Sequence, residues 1–88
     1  MNSINGKAYN KLLEIVLTYN KMNYETIKNF YNGNFGTGYI LRKETSKYIY
    51  FVTLEYNINF SVDEIKIEID KRNKMNETID YKKSYEKI

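Results

Sequence analysis

The chain has 88 residues, of which 42% are apolar and 28% are charged, with a formal net charge of +3. This composition is typical of a small globular domain, and it contains no Cys, His, Pro or Trp. Disulfides, thiolate zinc sites and histidine-based acid–base catalysis are therefore excluded. No apolar run reaches the roughly 18 residues of a membrane span, and the first ten residues lack the apolar core of a secretory signal. We expect one cytoplasmic domain over 1–88 that has no membrane segment, metal or cofactor.

The first predicted element is a helix over residues 6–21. Its apolar residues recur at the spacing of a single helical stripe. They are Tyr9, Leu12, Leu13, Val16 and Leu17. Ser3 or Asn5 is a suitable N-cap for this helix.

A second helix is predicted over residues 24–31. Asn23 is a favourable N-cap residue, Ile27 and Phe30 supply an apolar face, and Gly33 suits the left-handed conformation that ends many helices. The two helices would then be antiparallel and joined by a tight connection.

A β-hairpin is predicted next, with strands over 37–43 and 47–56 and a polar turn at 44–46. The second strand is apolar on both faces, because aromatic and β-branched residues occupy odd and even positions alike. We therefore expect it to be covered on both sides or extended by pairing with another chain.

Residues 60–75 could be a strand, because Ile65, Ile67 and Ile69 alternate with charged residues, but the end signals favour a third helix. Ser61 and Glu64 form a capping-box pattern, and Phe60 with Ile65 forms the matching hydrophobic staple. Residues 75–88 are predicted to be a frayed or short helical tail, and 71–88 carry six basic and three acidic side chains. The predicted fold class is α+β, with two N-terminal helices, a β-hairpin, a helix and a basic C-terminal tail.

The functional prediction rests on the ten Tyr and four Phe residues, too many rings for a core of this size. Tyrosine is enriched at protein interfaces, so we expect a non-enzymatic protein-binding module. Homodimerisation by edge pairing is the alternative use of the same strand. The predicted partner-binding residues are Tyr39, Tyr48, Tyr50 and Tyr56.

The expected mode of action is occlusion of a host protein by an inhibitor or regulator of phage or mobile-element type. The abundant Asn, Lys, Ile and Tyr all have AT-rich codons, which indicates a low-GC genome. Small domains of this composition suit the blocking of a nucleoprotein complex, for example a CRISPR effector. This expectation is an analogy of size and style.

The alternative prediction is a DNA- or RNA-binding protein that uses the basic C-terminal segment. Its candidate residues are Lys71, Arg72, Lys74, Lys82 and Lys83. Two further nucleic-acid hypotheses are a helix-turn-helix reader, with Lys28 and Asn29 directed at bases, and base stacking on the aromatic strand 47–52. The net charge of +3 is low for a dedicated duplex binder.

An enzymatic role is not expected. Glu64-Ile65-Lys66, with Glu55 upstream, matches a local element of two-metal nucleases, but the chain has only as many acid-x-Lys matches as its composition produces by chance. The glycine-rich stretch 33–38 precedes a strand, whereas phosphate-binding loops run from a strand into a helix. We interpret it as a helix end followed by a bend.

Overall fold

A computed structural model describes residues 6–32, 36–57 and 64–88. One helix precedes five strands that form a single antiparallel sheet, in which every strand pairs with its neighbours in the chain. The elements are α1 Gly6–Lys21, β1 Glu25–Asn32, β2 Gly36–Glu44, β3 Tyr48–Asn57, β4 Glu64–Asn73 and β5 Ile79–Lys87. The predicted fold class, with two N-terminal helices, a hairpin and a later helix, is therefore wrong.

Helix α1 is confirmed at its predicted bounds, but its buried stripe differs from the predicted one. The buried residues are Ala8, Leu12, Ile15 and Val16. The side chains of Tyr9 and Leu17 are 45% and 60% exposed. The helix therefore turns Ala8 and Ile15 toward the sheet in place of these two residues. The predicted caps, Ser3 and Asn5, lie outside the described residues.

The predicted second helix is wrong, because this segment is strand β1. Asn23 has a φ of 68° and occupies the left-handed region, which ends α1. The amide of Tyr24 donates to the carbonyl of Tyr19 at 3.1 Å, and the amide of Asn23 donates to that of Asn20 at 3.1 Å. This pair of hydrogen bonds is a Schellman motif, so Asn23 caps the end of one helix and does not begin another.

The predicted third helix and helical tail are also wrong, because these segments are the strands β4 and β5. Ile65, Ile67 and Ile69 alternate with charged residues, and this period of two places all three on one face of the sheet. Charges two residues apart pair along the opposite face, as Lys66 does with Glu68 at 3.1 Å. Phe60 and Ser61, half of the predicted capping pattern, lie outside the described residues.

The predicted hairpin is confirmed as β2 and β3, which pair without a register shift from Gly36↔Asn57 to Glu44↔Ile49. Strand β3 is the middle strand of the sheet, so pairing with another chain along its edge is excluded within this fold. Helix α1 packs on one face, which we call the helix face, and contacts β1 to β4. The core between them contains Leu41, Val52, Leu54, Tyr56, Ile65 and Ile67 from the sheet.

The opposite face carries no helix among the described residues, and we call it the open face. It contains Phe30, Ile40, Phe51, the charged residues of β4 at even positions, and the odd-numbered residues of β5. α1, the one helix in the described ranges, is too short and too polar to cross a membrane.

Candidate protein-binding surface

The four predicted partner-binding tyrosines all lie on the helix face, but their exposure differs. Tyr56 is only 3% exposed and belongs to the core. Tyr39 packs against that core. Burial raises the pKa of its hydroxyl, and a hydrogen bond with Tyr9 raises it further. Tyr48 and Tyr50 are half-buried. A partner can therefore reach Tyr48 and Tyr50 and cannot reach Tyr56 in the folded chain.

Tyr48 and Tyr50 belong to a row of four rings, which we call the tyrosine cluster: Tyr19, Tyr24, Tyr50 and Tyr48. Ring centroids are 5.2 Å apart for Tyr19 and Tyr24, 6.3 Å for Tyr24 and Tyr50, and 6.0 Å for Tyr50 and Tyr48. These are the distances of favourable edge-to-face and tilted aromatic pairs. The Schellman motif creates the row, because it turns the chain back so that Tyr24 lies beside Tyr19.

Two lysines hold their ammonium groups over the tyrosine cluster. Lys71 Nζ lies 4.2 Å from the ring centroid of Tyr48, and Lys43 Nζ lies 5.6 Å from that of Tyr24. A cation over a ring face is attracted by the negative charge of the π-system. Burial raises the pKa of the Tyr24 hydroxyl, so this ring stays neutral at physiological pH. The surface therefore combines aromatic rings with two lysine ammonium groups, and Asp80 stands opposite Lys71 in the sheet.

A groove of about 530 Å³ adjoins the cluster at the end of the sheet where the β2–β3 and β4–β5 turns meet. Its lining residues are Ser46, Lys47, Tyr48, Asn73, Lys74, Met75 and Asn76. The two turns are tied together, because the amide of Lys74 donates to the carbonyl of Lys47 at 2.9 Å. Tyr48 belongs to both the cluster and the groove.

An ion-paired network spans this end of the sheet. Glu44 pairs with Lys74 and, at 2.7 Å, with Arg42. The hydrogen bonds from Lys74 and Arg42 lower the pKa of the Glu44 carboxyl, so it is ionised at neutral pH. The hairpin β2–β3 is thus linked to the β4–β5 turn by side chains as well as by the backbone.

The five basic residues of the nucleic-acid alternative do not share a surface. Lys71 and Lys82 are on the helix face, whereas Arg72 and Lys83 are on the open face. Arg72 Nε lies 3.0 Å from Asp70 Oδ1, and Lys74 is paired with Glu44. The helix-turn-helix hypothesis is wrong, because Lys28 and Asn29 lie on β1.

Of the two acidic residues in the enzymatic hypothesis, Glu55 pairs with Lys66 on the open face, whereas Glu64 does not. Lys66 Nζ lies 3.1 Å from Glu55 Oε1 and 3.1 Å from Glu68 Oε1, and Glu64 stands opposite Lys87 in the sheet. Burial lowers the pKa of Lys66, but hydrogen bonds to Glu68 and Glu55 outweigh it, so the net shift is upward. In the described part of the chain, no three acidic side chains converge in a way that could hold a metal ion.

Sequence reasoning missed Tyr19, Tyr24 and Lys43 as members of the site. The sequence predicts Tyr24 to be part of a helix, which hides its place beside Tyr19 and Tyr50. The available signal was Asn23, because asparagine is among the few non-glycine residues that tolerate the left-handed region at a helix end.

The fold and the site define the class of this chain only as a small α+β domain with an aromatic, lysine-bearing surface. Comparisons with known protein families, with curated proteins and with solved structures give no match.

Proposed function

We propose that this chain is a non-enzymatic protein-binding module, which binds an acidic surface of a partner protein with the tyrosine cluster and the adjoining groove. The observation that carries the proposal is the half-buried pair Tyr48 and Tyr50 with the Lys71 ammonium beside both rings, 4.2 Å and 5.9 Å from their centroids. Tyrosine supplies a large contact area at low rotamer entropy and a polar hydroxyl at its tip.

The rings contact one another without a partner, which favours binding because packed side chains have less rotamer freedom to lose. Three ring pairs hold one another, and both turns of the groove are cross-linked by Glu44. The ammonium groups of Lys43 and Lys71 would attract carboxylates and raise the rate of encounter. An acidic patch is therefore the complementary chemistry.

The biological role that we propose is inhibition or regulation by occlusion. A module of this size bound to a host protein, including one in a nucleic-acid-handling complex, would cover its contact surface without performing chemistry. The phage or mobile-element origin of such an inhibitor remains a prediction from composition.

The test is capture of a partner from a nuclease-treated lysate of a low-GC bacterium by tagged variants of the chain. The double substitution Tyr48→Ala with Tyr50→Ala is expected to abolish capture of a protein that the wild-type chain retains. The matched control is Tyr31→Ala with Tyr81→Ala, two tyrosines that are 68% and 57% exposed and lie outside the cluster. The control is expected to capture the partner like the wild type.

Thermal unfolding of each variant shows whether the chain is still folded. A folded variant that captures no partner has lost the binding surface, whereas an unfolded variant has lost the structure as a whole. If capture survives the Tyr48/Tyr50 change in a cooperatively folded chain, the surface assignment is refuted. If everything captured disappears with the nucleic acid, the basic-segment alternative replaces the protein-binding proposal.

A further inference from the structure

The sheet has two outer strands, β1 and β5, and they differ in how well they could accept another strand. The register of β1 shifts between Thr26 and Lys28, so this edge carries an irregularity at Ile27. Bulges of this kind are a common protection of sheet edges. Strand β5 instead pairs with β4 without a shift from Glu64↔Lys87 to Arg72↔Ile79. It therefore presents a regular, nine-residue outer edge.

Both sides of β5 are accessible to an incoming strand. The backbone of helix α1 packs over β1 to β4, and α1 reaches β5 through the Lys11–Glu86 ion pair. Ile79, Tyr81 and Tyr85 on the open face are 56%, 57% and 49% exposed. The outward backbone N–H and C=O groups of such a strand are a template for pairing.

The charges of β5 are complementary to β5 itself when two copies run antiparallel. Opposed residues in such a pair share a face, so the two-fold axis lies midway between the two copies of one residue. With the axis at Ser84, Lys82 stands opposite Glu86 of the second copy, and Lys83 stands opposite Tyr85. Tyr81 then faces Lys87, and the contact extends over residues 81–87 of each chain. Each opposed pair in this register is oppositely charged, small and polar, or a cation beside an aromatic ring.

Neighbouring registers lack this complementarity. An axis at Lys83 opposes the two Lys83 side chains and sets Asp80 against Glu86. An axis at Lys82 opposes the two Lys82 side chains. An axis at Tyr81 has favourable charges but aligns only residues 79–83, because β5 begins at Ile79. Like charges directly opposite each other destabilise a sheet, so the Ser84 register is favoured.

We propose that a second copy of this chain pairs with β5 about a two-fold axis at Ser84 and joins two sheets into one continuous sheet. The two Lys82–Glu86 pairs across the axis select this register. Glu86 pairs with Lys11 at 3.3 Å within the chain, and its side chain is still 47% exposed. It can therefore also contact Lys82 of the second copy. Lysines on an outer strand usually discourage pairing, but here each one meets a carboxylate or a ring of the second copy.

The experiment is a set of charge substitutions followed by sedimentation equilibrium over a range of protein concentrations. The wild-type chain is expected to pass from monomer to dimer as its concentration rises. Lys82→Glu places two acids opposite each other twice, and Glu86→Lys places two lysines opposite each other twice. Each variant alone is expected to dimerise about 10- to 100-fold more weakly than the wild type. An equimolar mixture restores both opposite-charge pairs and is expected to form a heterodimer.

The matched control is Lys28→Glu, which makes the same charge change on the outer strand β1. It is expected to leave the dimer unchanged. A wild-type chain that stays monomeric at millimolar concentration would overturn the proposal. So would dimerisation of Lys82→Glu at wild-type strength, or equal weakening by Lys28→Glu. Glu86→Lys also breaks the ion pair with Lys11, so this variant could lose its fold. In that case the dimer strengths of the wild type, Lys82→Glu and Lys28→Glu decide whether the proposal stands.

Discussion

The two faces of the sheet differ in their surroundings, because α1 covers the helix face and water reaches the open face. On the helix face, Leu41, Val52 and Leu54 are fully buried under α1. On the open face, Phe51 is only half-buried, and the guanidinium of Arg72 lies 5.2 Å from its ring centroid. The helix makes one face a dry core, whereas long charged side chains cover the apolar residues of the other while their charges stay in water.

The largest expected difference between the faces comes from neighbouring residues on β2. Leu41 is fully buried on the helix face, and Ile40 is half-buried on the open face. Leu41→Ala leaves a cavity and is expected to lower the free energy of unfolding by about 2–5 kcal/mol. Ile40→Ala, the matched control, is expected to cost about 1 kcal/mol, because water and long side chains fill its place. Urea unfolding followed by circular dichroism measures both, and equal losses would contradict the distinction between the faces.

A smaller effect is expected at Gly38, where the open face tolerates no side chain. A Cβ there would overlap the ring of Phe30 and the backbone carbonyl oxygen of Leu54. The ring can turn away, but the carbonyl belongs to the sheet, so Gly38→Ala is expected to destabilise the fold by about 1–3 kcal/mol.

The control for that substitution is Gly6→Ala, since a Cβ at Gly6 meets nothing within 4 Å. Thermal unfolding of the two variants should give a lower midpoint only for Gly38→Ala. An unchanged midpoint in that variant would show that β2 and β3 can separate locally without cost.

The smallest expected effect concerns the charged network of the open face. The hydroxyl of Tyr81 donates a hydrogen bond to the Glu68 carboxylate, and this bond lowers the pKa of Glu68 and raises that of Tyr81. A carboxyl whose folded-state pKa is depressed adds stability above its unfolded-state pKa, and this stability is lost as pH falls through the folded-state pKa.

Tyr81→Phe is therefore expected to raise the pKa of Glu68 and to reduce stability at neutral pH. The difference from the wild type should disappear in acid, where Glu68 is protonated in both chains. Carboxyl chemical shifts followed by NMR against pH measure the pKa, with Tyr31→Phe on the helix face as the control. A Glu68 titration that is unchanged by Tyr81→Phe would show that Lys66 and Lys83 lower its pKa without the tyrosine.

The sequence by itself determined the elements whose signals are local. Helix α1 has an apolar stripe over four turns, and the β2–β3 hairpin has two strands of β-branched and aromatic residues around a short polar turn. Both were predicted nearly to their ends. The even numbering of Tyr48, Tyr50 and Tyr56 along this strand also determines that they share a face, because side chains alternate along a strand.

Only the tertiary structure decided β1, β4 and β5. Asn23 is a good residue both to begin a helix and, in the left-handed region, to end one, and the choice depends on whether the following segment can pair with β2. Residues 64–73 combine a helical end signal with the period of two of a strand. The strand prevails because Ile65 and Ile67 reach the core under α1, and because β3 and β5 supply backbone partners on both sides. These partners lie outside residues 64–73, so no pattern within that segment records them.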